Sequence, residues 1–340
     1  MVRTWGEEIY TFLIGSDGAL KQVGEIDITK YHHCTTLGPL LVDHTGTTLY
    51  NQAVTNCGGT PDIESFKMED NGELQFLGSA KNEFSAVEAG DISSLTLLGT
   101  NKYAYQTGSS FEGKALSSLT VQYKRESNGA LTVIGSSSES PKTENPDHVY
   151  CPFLLAGDPT NHLAVAYSDF DKNSGEFVGP NALATYTADS HGNLTTKSTS
   201  ENMPTTTLGG VLPNLGAMSI SPSGKLLVLG GGAPPCGAAC NAVSAPPAGG
   251  FLGFQIFHFD GAEPITHYTE VLQPNYGFQQ FSWDNNDHLY ALTFDGQFLF
   301  VYTVTPTSIA EAPGSPNTIP DWSGISGIVQ GNMLVRSRKD

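Results

Sequence analysis

The chain repeats itself, and that self-similarity limits its fold more than any other feature. Segments 9–24, 63–78, 119–135 and 183–197 share one pattern. Each carries an aromatic residue six positions before a glycine: Phe12/Gly18, Phe66/Gly72, Tyr123/Gly129 and Tyr186/Gly192. Each then has a leucine two positions after it: Leu20, Leu74, Leu131 and Leu194. The tips Asp17-Gly18, Asn71-Gly72, Asn128-Gly129 and His191-Gly192 suit hairpin turns, which need residues that tolerate positive φ. Looser copies at 254–268 and 299–314 bring the outer hairpins to six. A second kind of hairpin precedes five of them, at 38–54, 93–108, 149–168, 215–231 and 278–294. A sixth, 323–338, ends the chain with no outer hairpin after it, while 9–24 opens the chain with no inner hairpin before it. The two halves complete one another, as expected when a toroid closes by pairing its first and last segments in one sheet.

The predicted architecture is all-β: a propeller of four-stranded blades around a channel. A lone blade cannot bury both faces of its sheet, and blades stacked in a ring can. Alternating stretches such as 226–228 and 289–291 read as half-buried strands, and no window holds a capped helical period. The 38 glycines and 20 prolines fit many turns between short strands. A β-sandwich is the structural rival, but it does not call for a period of about 57 residues.

The hairpins SPSGKLLVL and DHTGTTLYN, with the SDGAL and SNGAL turns, resemble the lactonase-like propeller family that includes 6-phosphogluconolactonases and fungal carboxymuconate cyclases. These motifs belong to blades rather than to a site. The resemblance implies seven blades, whereas the repeats count six. A hidden blade would have to lie in the linkers 28–38 or 200–214, both shorter than the roughly 40 residues a blade needs. The expectation is therefore one propeller domain over 1–340, with six blades and an irregular cysteine-bearing loop at 230–253.

A formal charge of −18, from 34 acidic and 16 basic residues, argues against nucleic-acid binding and against docking on anionic lipid. No stretch nears the roughly 18 apolar residues of a membrane span, and residues 1–5 do not open a signal peptide. Of five cysteines, Cys236 and Cys240 share one loop, where a disulfide is expected; Cys34–Cys57 would be a second, leaving Cys151 free in an apolar strand. No second Cys/His pair supports zinc. These features point outside the cytoplasm, to a secreted or periplasmic protein.

In a propeller, the loops leading into the innermost strands line one mouth of the channel, and irregular loops on a rigid scaffold carry function. Those positions hold Asp91, Asp147, His148, Asn214, Tyr276, Gln279, Gln280, Asp321 and Trp322, with Tyr31, His32 and His33 just before another. His148, in NPDHVYCPF, is the candidate general base. Strand neighbours point to opposite faces, so Asp91 of the preceding blade is its expected partner rather than Asp147. Asn214 or Gln280 would polarise the carbonyl as it becomes an oxyanion. Tyr276, Gln279, Trp322, His32 and His33 would contact substrate. The Pro-x-His element is similar to the Pro-His that opens an inner strand in the lactonase-like family. The plainer role for His148 is a hydrogen bond to a neighbouring blade.

Asp91, Asn214 and Asp321 also form an oxygen set of the kind Ca²⁺ or another divalent cation accepts, or else are solvated loop side chains. The four arginines, Arg3, Arg125, Arg336 and Arg338, all fall away from these positions. Phosphate and dicarboxylates are normally held by guanidinium groups, so a neutral lactone, ester or sugar is the expected ligand. No nucleophile elbow, phosphate-binding loop or zinc-protease motif is present. The competing function is a non-catalytic propeller that binds a carbohydrate, or a protein through the 230–253 loop, or serves as a surface subunit. If 9–24 and 323–338 share a blade, deleting residues 330–340 abolishes cooperative thermal unfolding; a truncated chain with an unchanged melting transition refutes that closure.

Overall fold

The structure, a computed structural model, describes residues 2–3, 8–14, 20–27, 40–52, 62–81, 93–100, 102–112, 115–137, 140–208, 215–231, 252–293 and 298–318. An N-terminal sheet holds β1 (Val2–Arg3), β2 (Glu8–Ile14) and β3 (Leu20–Asp27). Four-stranded antiparallel meanders follow. Blade I is β4 (Leu40–Val42), β5 (Thr48–Gln52), β6 (Asp62–Met68) and β7 (Leu74–Lys81). Blade II is β8 (Ser93–Leu97), β9 (Tyr103–Glu112), β10 (Ala115–Arg125) and β11 (Leu131–Ser137). Blade III is β12 (His148–Gly157), β13 (His162–Asp171), β14 (Glu176–Ala188) and β15 (Leu194–Thr195). Blade IV is β16 (Leu215–Ile220), β17 (Leu226–Gly231), β18 (Phe254–Asp260) and β19 (Glu263–His267). Blade V is β20 (Phe278–Trp283), β21 (His288–Thr293), β22 (Phe298–Thr305) and β23 (Ser308–Glu311), with β24 (Asn317–Thr318) also on β22.

Consecutive meanders stack face to face, which makes this an all-β propeller. The first strands β8, β12, β16 and β20 touch in succession. Each seam is an apolar cluster drawn from two blades. Tyr50, Ile63, Ala104 and Val121 join I to II, and Leu98, Tyr105, Leu163 and Val165 join II to III. Ala164, Ala166, Leu227 and Phe257 join III to IV; Val228, Phe254, Phe278 and Leu289 join IV to V. Leu163 and Ala164 are adjacent yet serve opposite seams, because strand side chains alternate between faces.

Polar latches cross the same seams. Tyr50 Oη donates to the Gly129 carbonyl at 2.8 Å, and Tyr105 Oη to the Gly192 carbonyl at 2.7 Å. In both cases a second-strand tyrosine grips the outer hairpin turn of the next blade. The turn glycines therefore do two things. Their φ values of +100° and +87° are left-handed, and an added Cβ would meet Thr48 Oγ1 at 2.9 Å from Gly129, or the Tyr103 ring at 2.8 Å from Gly192. Arg125 completes the I–II seam: it donates to Tyr50 Oη (2.8 Å), Thr48 Oγ1 (2.9 Å) and Asp43 Oδ2 (3.1 Å), the last fully buried.

Five complete four-stranded blades are described, not six or seven. All six outer hairpins and the first five inner ones form where the repeats predict. The difference lies at the ends. β2 takes its second partner from β1 (Val2↔Tyr10, Arg3↔Ile9), a pairing the repeats did not suggest. The hairpin 323–338, expected on that sheet, lies outside the described residues. Linker 200–214 conceals no blade over its described part: Leu183 N donates to Pro204 O and Thr206 N to Asn181 O, so residues 204–206 continue the outer edge of blade III. Outer strands are short or interrupted in blades III to V, whereas β7 and β11 run unbroken.

Cys151 is a buried free thiol, as expected, and burial pushes it up to about 12. The other four cysteines lie outside the described residues. Substituting Arg125→Met leaves Asp43 buried without its cation, so stability falls by about 3 kcal/mol. Tyr105→Phe removes one of the two side-chain bonds to Gly192 O and costs about 1 kcal/mol. Urea midpoints check both, and an unchanged midpoint for Arg125→Met refutes the latch.

Candidate functional site

The turn before β12 explains where His148 sits. Asn145 O accepts from His148 N at 3.0 Å, closing a β-turn with Pro146 at its second position, where a fixed φ near −65° is favoured. The Asn145 side chain accepts from Asp147 N at 3.0 Å and locks the same turn. Lys172 N donates to Asp147 O at 2.9 Å and ties the turn to the end of β13. His148 thus becomes the first residue of an innermost strand.

Its partner is Asp169, on the second strand of its own blade, at 2.9 and 3.0 Å from Nδ1 to the two carboxylate oxygens. Both side chains are 23% exposed. In the β12–β13 register His148 faces Asp171, and Tyr150 faces Asp169, so the contact is a diagonal across one face. That face looks towards blade II: Tyr150 packs in the seam that holds Leu98 and Tyr105, edge-on to Tyr167. An ionised carboxylate only accepts hydrogen bonds, so Nδ1 carries the proton and Nε2 is the nitrogen left to take one.

The surroundings are strongly negative. The hydrogen bond to Asp169 raises the His148 pKa above its usual 6.5; partial desolvation opposes this, and the charges of Asp169, Asp171 and Asp147 add to it. Asp171 is held below the usual carboxylate range, chiefly by the backbone N–H of Asn173. The Tyr150 phenol is raised by burial and by Asp169 and Glu144.

His148 is the first residue of β12, the first strand of blade III. The expected orienting residue, Asp91, lies outside the described residues, as do Asn214, Asp321, Trp322, His32 and His33. Among the described residues, the carboxylate bonded to His148 is Asp169. Sequence reasoning passed over it because Asp169 sits 21 residues away, across a hairpin. The signal was present in the alternate acids of Ser168-Asp169-Phe170-Asp171, had that hairpin been aligned residue by residue. Asp147 makes no side-chain bond to His148 and contributes only charge.

Gln280 and Gln279 lie on β20, two blades along from His148, at an irregularity between Phe278 and Gln280. Tyr276 packs edge-on against Phe298 and Phe300, with centroids 5.7 and 5.0 Å away. Among the described residues, no group of three or more His, Cys, Asp or Glu side chains is disposed to hold a metal ion.

No protein-family model matches the sequence, and no curated protein matches it. Solved structures do. A protein from Lactobacillus plantarum is 12% identical, over 89% of this chain and 90% of that one, with a TM-score of 0.46. A functionally unknown protein from Desulfotomaculum acetoxidans is 10% identical, over 92% and 81%, with a TM-score of 0.49. The β-propeller domain of the Trilobed protease from Pyrococcus furiosus is 11% identical, over 94% and 83%, with a TM-score of 0.40. None of them lends this chain an activity.

The raised His148 pKa has a fixed sign in stability. Its stabilising effect is complete below the unfolded value near 6.5 and disappears as pH rises through the higher folded value. His148→Gln therefore lowers the melting temperature most in acid and least at alkaline pH. A pH-independent difference between the two proteins refutes the Asp169 pairing.

Proposed function

We propose that the protein is a lactonase-like hydrolase acting on a neutral lactone or ester at the channel mouth, with His148 as general base. Asp169 holds the imidazole and stabilises its protonated form, and Nε2 deprotonates the attacking water. Asn214 or Gln280 would supply the oxyanion donor. Tyr276, Gln279, Trp322, His32 and His33 would shape the binding surface, and Asp91 would help to orient His148. A divalent cation on Asp91, Asn214 and Asp321 is the metal-assisted form of the same proposal.

The observation that carries the reading is the His148–Asp169 pair at the start of an innermost strand, with a raised imidazole pKa. Such perturbed groups cluster at functional sites. Two others support it. Among the residues whose side chains are described, Ile134 is the only large hydrophobic one exposed, which weighs against a protein-docking scaffold on that part of the surface. Arg125 is occupied by Asp43, Thr48 and Tyr50, which fits a neutral substrate rather than an anionic one. The same proposal includes a sixth blade closed by the two chain ends, disulfides at Cys236–Cys240 and Cys34–Cys57, and residence outside the cytoplasm.

The test is pH-indicator hydrolysis of neutral and anionic lactones, with and without chelator. Saturable turnover of neutral lactones is expected, falling by at least about a hundredfold in His148→Ala. In Asp169→Asn the acid limb of kcat/KM moves to lower pH, since the chief cause of the raised pKa is gone. Chelator sensitivity would assign the step to the metal form. No turnover on any lactone would overturn the hydrolase and leave the carbohydrate- or protein-binding propeller.

A further inference from the structure

The apolar cluster between blades II and III includes the tyrosines Tyr103, Tyr105, Tyr150, Tyr167 and Tyr186. All but one of their hydroxyls have a partner. Tyr103 Oη donates to Ser190 O and Tyr105 Oη to Gly192 O, while the Tyr167 and Tyr186 hydroxyls bond to each other at 2.7 Å. Tyr150 is the exception. Its ring packs edge-on to Tyr167, with centroids 6.1 Å apart, but its Oη makes no hydrogen bond among the described residues. The side chain is half-buried, so the ring is held while the phenol keeps an open end. A tyrosine packed in a core usually finds a partner for its hydroxyl, and this departure from the habit of its neighbours calls for a use.

Its place in the sheet is beside the His148–Asp169 pair. Side chains alternate along β12: Val149 and Cys151 pack into the III–IV cluster, and Tyr150 packs into the II–III cluster. The pairing of β12 with β13 runs without interruption from His148 to Pro152, so His148 shares the Tyr150 face. Two residues of strand separate them, roughly 7 Å along the backbone. Across the ladder Tyr150 pairs with Asp169, the carboxylate that holds His148 Nδ1. Imidazole, carboxylate and phenol therefore occupy adjoining positions on one patch of sheet. We propose that Tyr150 is a catalytic residue of the His148 site, its hydroxyl donating to the carbonyl oxygen of the lactone or ester as water attacks.

The assignment rests on the hydrolase reading and gives it a donor on the strand that carries the base, whereas Gln280 stands two blades along on β20. A carbonyl under attack gathers negative charge on its oxygen, and a donor fixed beforehand stabilises that oxyanion more than the ground state. The water oxygen bonds to the carbonyl carbon as its proton passes to His148 Nε2. The π pair moves onto the carbonyl oxygen, which accepts from Tyr150 Oη. On collapse the C=O bond re-forms, the bond to the leaving oxygen breaks, and that alkoxide takes the proton from Nε2. Tyr150 keeps its own proton throughout, and the products are an acid and an alcohol. Burial first, then the charges of Asp169 and Glu144, raises the Tyr150 pKa, so the phenol is still a donor where His148 is neutral.

Two measurements test it. The first is the kinetics of Tyr150→Phe on γ-butyrolactone. The donor acts on the transition state, so kcat falls about a hundredfold while KM barely moves. The urea midpoint stays where it is, because no hydrogen bond within the described fold is lost, in contrast to Tyr105→Phe. An unchanged kcat overturns the donor, and a His148→Ala variant without turnover shows that the hydrolase reading survives it. The second measurement needs no turnover: the carbonyl carbon NMR signal of γ-butyrolactam, a lactone isostere that resists hydrolysis, at saturating protein. A donated hydrogen bond moves this signal downfield in the wild type, and the movement disappears in Tyr150→Phe. A signal that stays put in the wild type, or moves alike in both proteins, overturns the donor. Absent lactone turnover with a carbonyl shift that depends on Tyr150 overturns the hydrolase reading and leaves the donor standing.

Discussion

A tyrosine hydroxyl reaching from one blade to the turn carbonyl of the next sets the spacing of this molecule. Apolar burial makes the blades stick, but burial is indifferent to small slides of one sheet over another. The bonds from Tyr50 to Gly129 and from Tyr105 to Gly192 are not. Each needs the turn at one height and the tyrosine at another, so they fix adjacent blades in register along the axis. The Arg125 bridge to Asp43 does the same with charge at the first of these seams.

That register is what builds the candidate site. Ser94 and Thr96 accept from the backbone of β12 only when blades II and III stand at one relative height. At that height the first residues of β12, His148 among them, run past Ser93, where β8 begins.

The fold was legible because its signals are local. Hairpin turns with Asn-Gly or His-Gly at fixed distances from an aromatic residue announce themselves in the sequence, and Gly72, Gly129 and Gly192 take the positive φ those turns require. The site was half legible. Asn145-Pro146 marks the turn that presents His148, which is again local. Asp169 was missed because its position depends on pairing across a hairpin with an irregularity between Pro152 and Leu154, and one extra residue moves every later partner. Arg125 was seen to be remote from any anionic ligand, but its binding to Asp43 spans 82 positions and leaves no local mark. The pairing of β1 with β2 escaped for a different reason: two residues are too few to show any alternation.

The outer strands also divide the rim in two. In blades III and IV the last strand is only two and five residues long, and in blade V it is split between β23 and β24. Such edges are poor templates for further strands. Blades I and II end instead on continuous strands of eight and seven residues. Among the described residues, the outer edges of blades III to V are therefore the ones least able to template a further strand, so that arc of the rim is protected by its own irregularity.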